Sequence, residues 1–303
     1  MWLGAPLVAA FSVRPALDTV ESPFDLVIET ALWLGWFVGA VGLLVPHPVS
    51  LTVIRVLAPT VAGTAVLLGL SAGWSGPVGL LIAYGLLVTA ISLLPAVGDI
   101  MVNGSAYGAE RRMALRPPAI AVAGAVPVIW LAMFFGLTSW ALLLAGGRRM
   151  PAVVAALVGV AVVWASIRVL HQFSRRWIVF VPAGFVIHDP FQLAEPVLLA
   201  RTVVRRLGPA EVEPGLGDRL DLSAGALGLA LEVETSQPVT FGTRHRRTLI
   251  PKPTSRMVFS PTLPGGLLAE ARIRGIKIRA SSGVDEDSKS PGSPSAAPTD
   301  STD

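Results

Sequence analysis

The chain has 303 residues, of which 52% are apolar and 15% are charged, and its formal net charge is +4. Soluble domains carry about 25% charged residues, so this composition and a mean hydropathy of +0.65 predict an integral membrane protein. The chain has no cysteine, which excludes disulfides, thiolate catalysis and cysteine-ligated zinc or iron–sulfur centres.

The first segment begins MWLGAPLVAAF and is too short to cross a bilayer as a helix. It also lacks the basic start of a signal peptide. We therefore expect residues 1–26 to form a non-spanning segment at the membrane surface or in its interface.

Residues 27–171 contain five apolar runs, and a helix needs about 20 apolar residues to cross the hydrocarbon. Glycine or proline stands at the ends of the runs, and short links make consecutive helices antiparallel neighbours. The sequence therefore predicts a domain of five transmembrane helices, over residues 27–45, 51–72, 77–97, 119–145 and 151–170.

Two prolines lie well inside these predicted helices, and three charged residues lie near their ends. Pro59 and Pro127 are expected to kink their helices, because neighbouring groups in a bundle can satisfy the freed carbonyls; the alternative is a hinge in a transport path. Glu29, Arg55 and Arg168 lie near helix ends, where we expect them to extend to the interface as anchors. No run has a charge at its centre, which argues against a proton relay or an ion-coupled pump.

Arginines in short loops predict the orientation of the helices. The longest loop, residues 99–118, holds three arginines, and the fifth helix leads into Arg175 and Arg176. With five spans these two regions lie on one side, which we predict to be the cytoplasmic side of the plasma (inner) membrane. Arg148 and Arg149 then lie outside, against the same rule.

Residues 172–280 change to short apolar stretches separated by turns. Residues 177–181 and 185–188 are rich in β-branched and aromatic side chains and flank a Pro-Ala-Gly turn, which predicts a hairpin. Near-helical spacing of apolar residues predicts an amphipathic helix over 267–278. The pattern indicates a small antiparallel barrel or sandwich closed by this helix, with further strands over residues 197–206, 226–234, 239–241 and 256–259.

The hairpin RRWIVFVPAGFVIHDP and the closing segment RMVFSPTLPGGLLAEARIRGI resemble the bacterial PH-like domains that follow membrane helices. The five helices resemble those of conserved actinobacterial membrane proteins of unknown function. The resemblance covers residues 175–279 and implies a PH-like barrel, in which a last strand, a proline-containing turn and a final helix close the domain. It also implies a binding or assembly module rather than a catalyst.

The last segment, residues 281–303, has almost no apolar side chain and much serine, proline and aspartate. Such a segment cannot bury enough surface to fold. We predict a disordered tail.

The sequence contains few residues suited to catalysis. Its four histidines lack metal-ligand spacing, and it has no nucleophile elbow, phosphate-binding loop or dinucleotide fingerprint. Asp99 and Glu110 lie in the loop between the third and fourth helices, and lipid-linked transferases place acids on such loops, often with a metal. A solvated loop explains the same two acids, so we predict no enzyme, no metal and no cofactor.

The predicted β domain is basic, with 15 Lys or Arg and 9 Asp or Glu between residues 172 and 279. Its densest cluster comprises Arg244, Arg246, Arg247 and Lys252, which we predict to bind anionic membrane lipid at about 1 kcal/mol per basic residue. An acidic protein partner or a plain flexible loop are the alternatives. Nucleic acid is not expected, because the segment has few aromatics for stacking.

Together these patterns predict a non-enzymatic integral membrane protein whose basic cytoplasmic PH-like domain binds the inner leaflet or a protein partner in cell-envelope assembly. One alternative is a transporter or a transporter subunit, with Pro59 and Pro127 at moving points. A second is a membrane enzyme that uses Asp99 and Glu110 on lipid-linked substrates.

Overall fold

The computed structural model describes residues 1–18, 20, 22–210, 219–245 and 248–279. Four of its helices are long and apolar enough to cross a membrane, and two shorter helices that meet at a bend of 57° make a fifth if they count as one span. The predicted apolar helical half is therefore confirmed with four to five helices, whereas we predicted five. The four are α2 (Phe24–Leu44), α3 (Pro48–Ala72), α6 (Val126–Ala145) and α7 (Arg149–Ser174), and the bent pair is α4 (Gly76–Ser92) and α5 (Pro95–Asn103).

The bend lies inside the run 77–97, which we predicted as one helix. α4 ends at Ser92 and α5 begins at Pro95, because a residue before proline favours the extended conformation that Leu94 adopts (φ −57°, ψ 136°). Carbonyls in the last turn of a helix lack partners within that helix. Arg55 of α3 supplies one, since its Nε donates to the Ser92 carbonyl at 3.2 Å. Arg55 thus fastens the bend, and its predicted role as an interfacial anchor stays a prediction.

The N-terminal segment packs against the helix bundle through Trp2, Ala5 and Ser12, while Leu3, Leu7 and Phe11 stay exposed; its expected place at the membrane surface or in the interface stays a prediction. A short 3-10 turn, Trp2–Gly4, leads into helix α1, Ala5–Leu17. Trp2 is buried, and its indole Nε1 donates to the carbonyl of Trp36 in α2 at 2.8 Å. A Cβ at Gly39 would lie 2.4 Å from the Trp2 ring, so this glycine provides the space that admits the indole. α1 is too short to cross the membrane, as expected.

Glycines also bring the spanning helices close together, since small residues let two backbones approach. A Cβ at Gly85 of α4 would lie 2.4 Å from the backbone nitrogen of Ala62 in α3. A Cβ at Gly159 of α7 would lie 2.2 Å from the carbonyl oxygen of Gly136 in α6. The packing of α3 on α4 and of α6 on α7 therefore depends on residues without side chains.

The first of two β-sheets contains a strand that comes from the loop between α5 and α6. The predicted hairpin is confirmed as β2 and β3, but Arg111–Ala114, predicted as loop, forms a strand that pairs with β2 so that Ala114 lies opposite Trp177. The two regions that we placed on one side of the membrane therefore share a sheet. Its antiparallel order is β1 (Arg111–Ala114), β2 (Trp177–Val181), β3 (Gly184–His188) and β4 (Val197–Ala200).

The second sheet has the order β5-β7-β8-β6, in which β6 is parallel to β8 and the other pairs are antiparallel. Two strands predicted separately are one long strand with an irregularity between Glu234 and Val239. The predicted strand 197–206 is divided by a turn after Ala200. The elements are β5 (Val204–Pro209), β6 (Arg219–Asp221), β7 (Leu231–His245), β8 (Thr248–Phe259) and helix α8 (Pro264–Ile273).

The inward faces of both sheets and of α8 share one apolar core. Among the described residues no ladder joins the two sheets into a closed barrel, so they form two layers with a helix. α8 ends before the predicted limit of 278, because Gly275 at φ +73° adopts the left-handed conformation that terminates helices. The largest fully buried core side chains are Phe180, Phe185, Phe241, Phe259, Ile178, Ile187, Leu193 and Leu199.

Candidate functional site

Two residues of the predicted basic cluster, Arg244 and Lys252, belong to a hairpin arm, which we define as residues 239–245 of β7 paired with residues 248–254 of β8. Arg244 lies opposite Leu249, and Lys252 lies opposite Phe241. The side chain of Arg244 is outside the description, as are Arg246 and Arg247 altogether and the predicted tail 281–303. The structure thus brings two of the four predicted residues onto one arm.

Lys252 has a contact within the domain. Its Nζ donates to the backbone carbonyl of Arg219 in β6 at 3.2 Å. Its cross-strand neighbour Phe241 is fully buried, and directly opposed residues extend from the same face of a sheet. Lys252 therefore lies at the edge of the core and helps to hold β6.

The middle of the arm is connected through residues 191–194 to the C-terminal end of α7. The Ala194 amide donates to the Gly242 carbonyl at 2.8 Å, and Leu193 forms a β-bridge with Thr243. Two residues before Leu193, the ring of Phe191 lies 6.0 Å from the ring of Phe173. Phe173 is in the last turn of α7, which ends at Ser174. The middle of the arm therefore lies close to the point where the chain leaves the helix bundle.

Much of the arginine excess is paired inside the domain. Arg256 donates to both carboxylate oxygens of Glu232, at 2.8 and 3.2 Å, and the Glu232 side chain is fully buried. A buried carboxylate needs such partners, because the desolvation of an unpaired charge is costly. Arg279 lies 3.5 Å from Glu232 and 3.7 Å from Glu234. These arginines hold adjacent strands together and are not available as a free basic surface.

Glu234 is the more exposed acid of this network. Burial raises its pKa, but a hydrogen bond from Arg206 and the charges of Arg206, Arg205 and Arg256 outweigh that effect and lower the pKa overall. The Arg205 side chain is 69% exposed, and ion pairs of exposed side chains contribute about 0–1 kcal/mol. Glu234 therefore keeps its charge without contributing much stability.

Arg176 and Asp189 form a fully buried ion pair. Arg176 Nε and Nη2 donate to the two Asp189 oxygens at 3.0 and 2.7 Å, and the side chains are 1% and 0% exposed. The remaining donors of the guanidinium reach the Arg116 and Leu222 carbonyls at 2.7 and 3.0 Å. We counted Arg176 among the arginines that flank the membrane, but it fixes both sheets from inside the domain.

Asp99 and Glu110, the acids of the enzyme alternative, are each paired with an arginine of β1. Asp99 Oδ2 accepts from Arg111 Nη2 at 2.8 Å, with 5% of the Asp99 side chain exposed. Glu110 Oε2 accepts from Arg112 Nη2 at 3.2 Å. The Arg112 amide also donates to Asn103 Oδ1 at 3.0 Å. The contacts of Asp99 and Asn103 attach β1 to α5, and among the described residues no group of three His, Asp or Glu side chains could hold a metal.

An apolar contact completes the junction of the two halves. Leu51 and Ile54 of α3 pack with Met101 and Val102 of α5 and with Ala114 of β1, and Trp177 covers this cluster. The β domain is thus bound to two membrane helices through buried side chains as well as through the chain itself.

His188 stacks on Trp177 at this junction, with ring centroids 4.5 Å apart and an angle of 7° between the planes. His188 Nδ1 donates to the Arg175 carbonyl at 2.8 Å. Burial lowers the pKa of the His188 imidazole below its ordinary value. The ring therefore favours the neutral form in the folded protein.

The features named for the transport alternative lie in α3 and α6, and that alternative stays a prediction. An open apolar groove of about 700 Å³ between α6 and α7 contains no charged side chain, only Ser139 as a polar one. α3 continues through Pro59, and Pro127 lies in the first turn of α6, directly after a π-helical turn at Ala121–Ala125. The bend of the third span is fastened by Arg55, which lies about 10 Å from the start of α3 at a rise of 1.5 Å per residue.

No known protein family, characterised protein or solved structure matches this chain. The family resemblance of the two quoted segments therefore stays a prediction.

Sequence reasoning missed β1 and the buried position of Arg176. Arg176 had a signal, because it shares the period-two register of Ile178 and Phe180, which are both fully buried. The four residues of β1 contain no such signal, since their partner strand is more than 60 residues away in the chain.

Proposed function

We propose that this chain is a non-enzymatic integral membrane protein of the plasma (inner) membrane, in which the hairpin arm of a cytoplasmic PH-like domain binds anionic lipids of the inner leaflet. The observation that carries the proposal is the connection from the arm through Leu193 and Phe191 to Phe173 at the end of α7. It supports a position of the arm at the level of the lipid headgroups.

The depth of Phe173 follows from α7. Arg168 lies 4.7 Å from the Trp164 ring, and arginine and tryptophan are typical of the boundary between hydrocarbon and headgroups. α7 continues for six residues to Ser174, about 9 Å at a rise of 1.5 Å per residue. Phe173 and Phe191 then lie among the headgroups, and the middle of the arm lies beside them.

The junction limits how far the arm can move from the leaflet. The Asp99–Arg111 ion pair and the apolar cluster under Trp177 hold the β domain on α3 and α5. A basic side chain near an anionic surface adds about 1 kcal/mol, so Arg244, Arg246 and Arg247 together would contribute about 3 kcal/mol. The attraction falls off within a Debye length, about 8 Å at physiological salt, which makes the fixed position important.

Two features support the PH-like assignment. Two sheets and a C-terminal helix share one core, and the last strand β8 is followed by Pro261 and then by α8, in the order that the resemblance implies. Strand β1 is supplied by the membrane half, so the proposed domain is discontinuous in sequence and combines residues 111–116 with residues 175–279.

The test must therefore use the full chain, because a fragment of residues 172–280 lacks β1. We would titrate phosphatidylglycerol into the purified protein in a neutral detergent and follow the midpoint of thermal unfolding. A ligand that binds the folded state raises this midpoint by mass action. We expect a rise with phosphatidylglycerol, a smaller effect of phosphatidylcholine, and loss of the difference at high salt.

The arm is tested by Arg244→Ser, Arg246→Ser and Arg247→Ser in one variant. A matched control replaces Arg201, Arg272 and Lys277, which are exposed elsewhere on the domain, and removes the same charge. The arm variant should lose the response to phosphatidylglycerol and the control should keep it. An unchanged response in the arm variant would overturn the proposal. An acidic protein that copurifies with the wild type but not with the arm variant, without any lipid response, would favour a partner in cell-envelope assembly instead.

A further inference from the structure

We propose that the loop between β6 and β7, residues 222–230, is a second membrane contact, which places Leu227 and Leu229 in the boundary between headgroups and acyl chains. This contact is apolar and lies at the base of α6. It goes beyond the proposed binding of anionic lipid by the arm and does not depend on it.

The loop is uncharged and exposes large apolar side chains. No charged residue stands between Asp221 and Glu232. Leu227 is 77% exposed and Leu229 is 50% exposed, whereas Leu222 at the start of the loop is buried in the core. Two leucines exposed on one short uncharged loop are typical of segments that enter a membrane interface, where apolar side chains leave water.

Arg116 fixes the position of this loop relative to the bilayer. Its Nη1 donates to the Leu227 carbonyl at 2.6 Å, and its Nε donates to the Pro261 carbonyl at 3.1 Å. Arg116 is the last charged residue before α6, since the next charge in the chain is Arg148. Helical hydrogen bonding starts directly afterwards, with the Val122 amide donating to the Pro118 carbonyl. One side chain therefore joins the leucine loop to the point where the chain enters the hydrocarbon.

The close approach of Arg116 requires a glycine in the loop. Gly228 adopts φ +105°, and a Cβ there would lie 1.9 Å from Arg116 Nη1. Glycine permits both the positive φ and the contact. The loop is thus held in a defined conformation that leaves both leucines exposed.

A bilayer accounts for this surface better than a protein partner does. Stable protein interfaces bury about 1,200–2,000 Å² in total, and two leucines on a short loop supply only a small part of that area. The lipid-exposed surface of α6 begins close by, at Ile120, which is 87% exposed. The loop extends this apolar surface into the interface, where the membrane is already present.

The absence of cysteine allows a direct test in the full chain. Leu227→Cys or Leu229→Cys introduces a single thiol for an environment-sensitive fluorophore, and the protein is reconstituted into phosphatidylcholine vesicles. The control is Ala183→Cys, in the exposed turn at the end of β2 opposite to α7, about 13 Å along the strand from Trp177 at 3.3 Å per residue. Iodide quenches the label from water, and lipids with a nitroxide near the headgroup quench it from the membrane.

We expect iodide quenching at positions 227 and 229 to be several-fold weaker than at 183, and nitroxide quenching to be several-fold stronger. Iodide quenching equal to that at 183 would overturn the proposal. Protection from both quenchers would also overturn it, because it indicates a protein contact. Vesicles of phosphatidylcholine alone carry no net charge, so the result is independent of whether the arm binds anionic lipid.

Discussion

Arg55 in the membrane helices and Arg176 in the β domain differ in how their charge is accommodated. Arg55 donates to the carbonyl at the end of α4, where a broken helix leaves backbone groups without partners. Arg176 donates to a carboxylate and to two carbonyls in the interior of a folded domain. A charge in the first half fastens a helix end, whereas a charge in the second half connects elements that are distant in sequence.

The two halves of the molecule also differ in the interactions that stabilise them. The β domain contains buried ion pairs that become costly when one partner is removed. The membrane half depends on close backbone contact at glycines, because lipid is as apolar as the helix surfaces and adds no hydrophobic drive between them. Substitutions at the two kinds of site can show whether the halves are stabilised in these different ways.

The largest effect should come from Asp189→Ala. Removal of this carboxylate leaves Arg176 charged, buried and without its counter-ion, which costs about 3–5 kcal/mol of the free energy of unfolding. We expect the loss in the β domain, because Arg176 holds the ends of β1 and β6. Urea titration in a mild detergent, followed by hydrogen exchange of the β2 and β3 amides, measures it.

Glu270→Ala is the matched control for this prediction. Glu270 pairs with Arg274 within one turn of α8, and both side chains are 22% exposed, so its removal should cost about 0.3–0.5 kcal/mol. The double variant Arg176→Met with Asp189→Leu should be more stable than Asp189→Ala, since it removes both charges. Equal losses for Asp189→Ala and Glu270→Ala would show that Arg176 reaches water.

Gly85→Ala tests the membrane half. The added methyl would lie 2.4 Å from the Ala62 backbone nitrogen, so α3 and α4 must separate, and overpacking of this kind costs about 1–3 kcal/mol. The midpoint of thermal unfolding in detergent should fall. Gly79→Ala in the same helix is the control, because nothing lies within 4 Å of its added Cβ. A similar midpoint for both variants would contradict the role of close packing at Gly85.

The apolar helices and the β2–β3 hairpin could be predicted because their signals are local. About 20 apolar residues make a span whatever its neighbours are, and the turn at residues 182–184 sets the hairpin register. The bend at Leu94 was also marked in the sequence by Pro95, but the apolar run continues across it. Hydropathy alone therefore extends one helix where the backbone makes two.

Pairings between distant segments could not be predicted from local pattern. β1 contains only Arg-Arg-Met-Ala, and its strand conformation depends on β2 and on the Asp99 and Asn103 side chains of α5. The sequence places the candidate arm on the β domain and gives its charge. It does not give the Phe191–Phe173 contact, which connects the arm to the end of α7.

Asp99→Ala should loosen the junction between the two halves. Arg111 is 35% exposed, so water screens its charge after the change, and we expect a loss of about 1 kcal/mol. Hydrogen exchange of the β1 amides should become several-fold faster, while the amides of β8 stay protected. Glu110→Ala, whose side chain is 30% exposed, should have a smaller effect. Faster exchange in β8 as well would show that β1 unfolds only with the whole domain.

The smallest predicted effect concerns pH and His188. Burial lowers the pKa of this imidazole in the folded state below its ordinary value of 6.5. Above pH 6.5 the imidazole is neutral in both the folded and the unfolded chain, so His188 adds no pH dependence to the stability there. As the pH falls below this value, the unfolded chain takes up a proton that the folded chain does not, so the β domain becomes less stable.

The measurement compares the thermal midpoint at pH 7.5 and pH 5 for the wild type and for His188→Gln. Glutamine retains a side-chain donor but cannot titrate, so the variant should lose less stability than the wild type over this range. Glu234 affects the stability at lower pH. Its lowered pKa gives stability that is lost only as the pH falls below 4.5, the ordinary pKa of a glutamate. An identical pH dependence in the two proteins would contradict this prediction, because it would show that the His188 ring takes up its proton as readily in the folded chain as in the unfolded chain. The ring stacked on Trp177 would then be a cation at pH 5.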